Sequence, residues 1–296
     1  MQVLVTGATG YIGGRLVPRL LEAGHSVRVF VRNPRKLQDV PWSSDVDVAE
    51  GDLQDADAVR AAVDGVEAVY YLAHAMGADG DFESAERQAA ETMAHEAKRA
   101  GVSRFVYLGG LHPDGDLSKH LRSRKEVGEI LLHSGVPTIA YQAGVVIGSG
   151  STSFEMIRHV TDVLPWMPAP RWVRNRIQPI AVRDVLYYLV AALDVPADVN
   201  RTFDIGGPDV LRYGQMLNGY AVEAKLRQRP ITVLPVLTPA SPHTGSTPSP
   251  RSRASSRRRS SSRCSSSASS ASTTSTTSSR SPRAGSRRTA ARSDWP

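Results

Sequence analysis

Residues 6–13 read Thr6-Gly7-Ala8-Thr9-Gly10-Tyr11-Ile12-Gly13. A short apolar run, Gln2 to Thr6, precedes them, and a helical pattern runs on to about Ala23, where Gly24 ends it. Three glycines between a strand and a helix let the backbone turn tightly, approach a pyrophosphate closely and offer helix N-terminal amides to its charge. A glycine triplet alone is a weak signal. Here its context is complete, because a second strand, Val27 to Val31, comes at the spacing of a strand-helix-strand unit. The stretch predicts a dinucleotide-binding turn.

Outward from that turn the chain alternates regularly. Val48 to Asp52 reads as a strand, Ala56 to Val63 as a helix, Ala68 to Ala73 as a strand, and Glu83 to Ala100 as a long helix ended by Gly101. Phe105 to Leu108 is the next strand, Lys125 to His133 the next helix and Thr138 to Ala143 a further strand. Such alternation predicts the α/β class: a mostly parallel, doubly wound sheet of the Rossmann type, with ligands at the carboxyl ends of its strands. The expected organisation is one NAD(P)-binding domain over residues 1–238, with a small C-terminal lobe from about residue 149, then a Ser/Arg-rich tail over 239–296.

The residues just beyond the second strand select the cofactor. An acid there would bond the ribose hydroxyls of NAD, but the chain has Arg32, with Arg35 and Lys36 close behind. A guanidinium suits a ribose phosphate, so NADP(H) is expected over NAD(H); the alternative is that these are solvated loop cations. Asp52 ends the third strand, where it could meet an adenine amino group or equally cap the next turn.

With these residues in hand, the chain resembles the extended and atypical short-chain dehydrogenase/reductases, especially NmrA-like and related NAD(P)H-binding proteins. Carrying the resemblance are the glycine turn, Gly51-Asp52-Leu53, Phe105-Val106-Tyr107-Leu108 and Gly144-Val145-Val146-Ile147-Gly148. It extends through Pro179-Ile180-Ala181-Val182-Arg183-Asp184-Val185 and Phe203-Asp204-Ile205-Gly206-Gly207-Pro208, covering about Met1 to Leu234 and no tail residue. The resemblance implies cofactor contacts at Gly7, Thr9, Gly10, Tyr11, Ile12, Gly13, Arg32, Asp52, Leu53, Ala73 and His74, with Lys125 a further contact.

The catalytic apparatus departs from the family. Active members use a Ser or Thr after the Phe105 strand and a Tyr four residues before a Lys, the Lys lowering the phenol's pKa. Aligning on Lys125 puts Leu121 at the tyrosine position and Gly109 or Gly110 at the serine position, so two of the three groups are absent. His120, with His112 and Ser123 nearby in sequence, is the candidate replacement acid, and Lys125 would orient the nicotinamide ribose. Against this, His120 could belong to a polar loop, Gly115 to Ser123, and touch nothing. His74 is expected beside the cofactor as a backbone-bonded neutral histidine, and Tyr141 and Gln142 end a strand near the nicotinamide, though Tyr141 could be plain core. Phe154 to Val163 reads as an amphipathic helix. Trp166, Met167 and Trp172 could line a pocket for a flat apolar ligand such as a quinone, or pack the lobe's own core. Asp184 is expected to cap a helix from Val185 to Leu193.

Three functions are open: an NADP(H)-dependent reductase of atypical mechanism on an apolar carbonyl or quinone-like substrate; a catalytically silent NADP(H)-binding redox sensor that engages a protein partner; or a nucleotide-sugar epimerase or dehydratase. The missing tyrosine counts against the third.

Composition separates body from tail. Of 36 cations and 29 acids, the 56 residues from Ser241 hold 11 Arg and one acid, so the tail nets +10 and the body −3. On charge the body is no nucleic-acid binder. The tail has 21 Ser and no Val, Leu, Ile, Met, Phe or Tyr, too little apolar surface to offset the entropy of ordering, so disorder is expected. It is either a basic arm or the product of a frameshift: with GC-rich codons chosen for residues 240–262, a one-base slide yields an apolar, ordinary-looking run that would continue into a further domain. Sequencing the gene across the codons for Leu237 to His243 decides, an intact frame removing the second reading. Cys264, the only cysteine, lies in the tail, so neither disulfides nor thiolate metal sites are expected in the body. With no secretory pattern and no membrane-length apolar run, the body reads as cytosolic.

Overall fold

A computed structural model describes residues 1–74, 82–112 and 117–234. The Ser/Arg-rich tail lies outside the described residues.

The first half runs β1 (Gln2–Thr6), α1 (Gly13–Glu22), β2 (Ser26–Val31), β3 (Asp47–Glu50), α2 (Ala56–Val63), β4 (Ala68–Tyr71), α3 (Phe82–Arg99), β5 (Arg104–Gly110), α4 (Lys119–Leu132) and β6 (Thr138–Ala143). Then come β7 (Val146–Ile147), α5 (Thr152–Val163), β8 (Met167–Ala169), β9 (Arg176–Ile177), β10 (Ile180–Ala181), α6 (Val182–Ala191), β11 (Arg201–Ile205), β12 (Leu211–Arg212), α7 (Tyr213–Glu223) and β13 (Ile231–Val233). Seven strands form one sheet in the order β11-β6-β5-β4-β1-β2-β3, every pairing in it parallel. The doubly wound α/β architecture expected from the alternation is present.

Both faces of the sheet are covered, which is why the inner strands β1 and β4 are apolar on both faces rather than alternating, whereas the edge strands β3 and β11 carry charged residues. On one face Val3, Val5, Val29, Ile139 and Tyr141 pack against Leu16 and Leu20 of α1 and Val185 and Leu189 of α6. On the other, Leu4, Val69, Phe105 and Tyr107 meet Val59, Met93 and Val127 of α2, α3 and α4. A separate core of Ile157, Met167, Val173, Met216 and Leu217 holds the smaller lobe, built from the short strands with α5 and α7. Residues 182–205 return to the main sheet as α6 and β11.

Two helix starts differ from the sequence reading by three residues or more. α4 begins at Lys119, six residues early, with Ser118 as its cap accepting from the Leu121 amide. His120, Leu121 and Ser123 are therefore helical, not in a loop. α6 begins at Val182, so Asp184 lies in its first turn, 3.2 Å from Arg183, and is not its cap.

α1 contains Pro18, which has no N–H for the Gly14 carbonyl one turn back. The Trp42 indole N–H fills that vacancy, 3.0 Å from the Gly14 oxygen.

Candidate functional site

The carboxyl ends of β1, β2, β4, β5 and β6 form one edge of the sheet, and the glycine turn crosses it. Gly7 has φ +72°, and a Cβ there would stand 2.7 Å from the Leu72 carbonyl carbon, so only glycine fits between β1 and β4. The Gly10 amide closes the turn on the Gly7 oxygen at 2.9 Å. A Cβ on Gly10 would crowd that oxygen at 3.1 Å, and one on Gly13 would meet it closer still. Thr9 and Gly10 are exposed, Ala8 is buried, and Ile12 packs on the core as the residue preceding α1. The result is a cradle that side chains would fill, opening on the start of a ten-residue helix. These residues fit a dinucleotide pyrophosphate.

Thr6 holds the cradle's far wall. Its hydroxyl donates to the Tyr70 carbonyl at 3.2 Å and accepts from the amides of Leu72 and Ala73 at 3.0 and 3.2 Å. It thereby ties the end of β4 to the end of β1. The sequence gives Thr6 as the end of the strand but assigns its side chain no role; a threonine closing an otherwise apolar strand is the signal that could have found it.

Arg32 leaves the end of β2 exposed, and Arg35 and Lys36 follow in a 3-10 turn capped by Asn33, whose side chain accepts from the Arg35 amide at 3.0 Å. Asp52 is also exposed, and one of its oxygens accepts from the Gln54 amide at 3.0 Å, so it does cap its turn. Leu53 packs on the α2 side of the sheet. Gly51 is required by space, since a Cβ would meet Ala58 Cβ at 2.5 Å and the Phe30 ring at 3.0 Å.

His74, just past β4, is largely buried. Burial, reinforced by the Arg124 charge, pulls its pKa down to about 3, although its hydrogen bond to the Leu108 carbonyl works the other way. It is a neutral, backbone-bonded imidazole at physiological pH, edge-on to Tyr107 at 6.3 Å and 4.0 Å from a Glu86 oxygen. Glu86 on α3 also accepts from the Ser123 hydroxyl, so Ser123 faces the α3–α4 interface. Tyr107 donates to the Arg124 carbonyl at 2.9 Å, and burial raises its phenol pKa.

At the end of β5 the two open serine candidates separate. A Cβ on Gly109 would meet the Tyr107 ring at 3.0 Å, whereas one on Gly110 would meet Leu121 Cδ2 at 3.1 Å. Gly110 thus faces Leu121. His120 stacks on Phe82 with ring centroids 4.8 Å apart. Lys125 is half-exposed, its Nζ 3.7 Å from Glu129. Burial and the nearby Lys125 charge both lower the pKa of His112. Tyr141 is core, packed against Tyr188 and Phe203 at about 6 Å. Met167 is buried in the lobe's core and Trp172 packs on it, edge-on to Tyr213, while Trp166 is half-exposed and donates to Thr232.

Residues 7–135, which hold the cradle and most of these side chains, match the NAD(P)H-binding family model. A 3 beta-hydroxysteroid dehydrogenase/Delta 5-->4-isomerase of Mycobacterium tuberculosis is 40% identical over 116 residues, which are 36% of this chain and 30% of that protein. The chain thus spans less than a third of this curated relative's length. An NAD(P)H azoreductase of Xenophilus azovorans is 28% identical over 225 residues, covering 76% of this chain and 72% of that one. Among solved structures, a short-chain dehydrogenase/reductase superfamily protein from Agrobacterium tumefaciens with bound NAD superposes with a TM-score of 0.63. It is 19% identical and the match covers 79% of this chain and 85% of that one. The chain shares its fold with that protein. Residues 7–135 of this protein are thus matched as an NAD(P)H-binding domain. Among the described residues, no helix is long and apolar enough to cross a membrane.

Proposed function

We propose that the protein is an NADP(H)-dependent oxidoreductase of the atypical, NmrA-like kind, reducing an apolar carbonyl or quinone-like acceptor. The observation that carries the cofactor choice is Arg32, exposed beyond β2 beside the glycine cradle. An NAD site would place an acid there. When bound, the cofactor supplies a hydride. The cradle from Gly7 to Gly13 holds the pyrophosphate, Arg32 the ribose phosphate, and Lys125, swung from Glu129, the nicotinamide ribose. His120, exposed near the start of α4, is the candidate source of the proton. A quinone-like acceptor spreads the negative charge left by the hydride and can also draw its proton from water, so it asks less of the missing phenol than a simple carbonyl does. The likeness to a protein named an NAD(P)H azoreductase favours redox chemistry over nucleotide-sugar chemistry.

A second reading is a catalytically silent NADP(H) sensor that engages a protein partner. The closure of Leu121 over Gly110 favours it, because neither residue carries a proton.

Calorimetric titration of the full chain with NADPH, NADP⁺, NADH and NAD⁺ tests the cofactor. Preference for the phosphorylated pair, lost in Arg32→Ala, is expected, and equal affinity for all four removes the NADP assignment. NADPH oxidation with small quinones then separates enzyme from sensor. Turnover that falls in His120→Ala supports the enzyme with His120 as its acid, turnover unchanged in that variant removes the acid role alone, and no turnover favours the sensor.

A further inference from the structure

Arg176 and Arg212 are direct cross-strand partners in the antiparallel β9–β12 pair, so both side chains leave the same face of the ribbon. Like charges in that relation destabilise a strand pair unless something neutralises them. Arg174, two residues before Arg176, lines with Arg212 a cavity of about 560 Å³ in the lobe. Among the described residues Arg174, Arg176 and Arg212, all exposed, sit in no ion pair. The remaining cavity wall sets the apolar side chains of Val173, Val222, Ile231 and Val233 beside the amides of Gln215, Asn218 and Gln228. None of the lining residues belongs to the glycine turn or to the carboxyl edge of the main sheet.

We infer that this cavity is a second ligand site, separate from the dinucleotide cradle, which takes a phosphate monoester with an apolar body. Guanidinium forks match phosphate oxygens in pairs, and a dianion held by Arg174 and Arg212 offsets the repulsion that Arg212 meets from Arg176 across the ribbon. The valine and isoleucine wall covers the organic part of the molecule, and a cavity of this size is in the range of small-molecule sites.

The test titrates the full chain at constant ionic strength with phenyl phosphate, inorganic phosphate and neutral benzyl alcohol. Wild-type protein is compared with Arg174→Gln, Arg212→Gln and Arg32→Ala. Saturable binding of phenyl phosphate is expected, at least tenfold tighter than inorganic phosphate and weakened at least tenfold in each Gln variant. Arg32→Ala should bind phenyl phosphate as wild type does, whatever its effect on the dinucleotide. Without ligand, Arg212→Gln should raise Tm by relieving the Arg176 repulsion, and phenyl phosphate should then add little. Binding that persists in both Gln variants would assign the phosphate to the tail arginines or to the cradle and overturn the inference. So would the absence of saturable binding, or a fall in ligand-free Tm on removing Arg212.

Discussion

Leu121 on α4 closes over Gly110 at the end of β5, its Cδ2 3.1 Å from where a Gly110 Cβ would stand. These are the positions at which the resemblance to short-chain dehydrogenase/reductases implies a phenol and a hydroxyl. The backbone brings the two together as it would for a catalytic pair, but the side chains offer no proton. Gly110→Ser with Leu121→Tyr should restore both groups beside Lys125. NADPH-dependent carbonyl reduction by the double variant should rise by about 10²-fold or more, the usual range for positioned acid catalysis. Rates unchanged from wild type would mean that α4 does not present residue 121 to the nicotinamide.

Thr6 makes three hydrogen bonds from a fully buried hydroxyl. Thr6→Val keeps the shape and leaves the Leu72 and Ala73 amides without their acceptor. Urea unfolding should show a loss of about 1–3 kcal/mol, with weaker dinucleotide binding because the cradle's wall is released. Thr6→Ser should recover most of both, and a Val variant as stable as wild type would contradict the role.

Trp42 and Pro18 should be coupled through the Gly14 carbonyl. Trp42→Phe orphans that oxygen at a cost of about 1–2 kcal/mol beyond any packing change. In a Pro18→Ala background residue 18 regains an N–H one turn from Gly14, so the same Trp42 substitution should cost less. A double-mutant cycle reads the difference, and strict additivity would show that the indole bond does not replace the missing helix bond.

Stability should fall with acidity in two overlapping windows. His74 has a folded pKa of about 3 against an ordinary 6.5, so between those values the unfolded chain binds a proton that the folded one refuses, and stability declines as pH drops from 6.5 to 3. Glu96 is held down to about 2 chiefly by its hydrogen bond from Arg60, against an ordinary 4.5. Its contribution is present above 4.5 and is lost as pH falls towards 2. His74→Gln should flatten the pH 6.5 to 4.5 limb of the urea midpoint and make the limb between 4.5 and 3 shallower, leaving the Glu96 contribution there. An unchanged upper limb would show that His74 is not the group responsible.

Much of the fold was legible because its signals are local. The boundaries of α2 are those read from the sequence, and Gly24 and Gly101 end α1 and α3 with positive φ, as glycines past a helix end do. The early start of α4 was hidden for a physical reason. Its first turns, Lys119 to Arg124, hold a single apolar residue, Leu121, and the buried residue among them is Ser123, which is satisfied by Glu86 from α3. Without an apolar stripe there is no helical period to read. Met167 and Trp172 could not be divided between a pocket and a core until the lobe's partners, Tyr213 and Met216, were in place.

Strand, helix and glycine turn arise from short-range rules of sterics and apolar periodicity, so they are written in the order of residues along the chain, and with them came the dinucleotide cradle and Arg32 beyond β2. Long-range packing alone could decide that Gly110 rather than Gly109 faces Leu121, that Ser123 turns to Glu86, and that His120 stacks on Phe82. It also set Arg176 opposite Arg212 across 36 residues of sequence. The helix contacts depend on how α3 packs against α4, and the strand contacts on which strands pair and in what register, since a one-residue slip would send a strand's side chains to the other face.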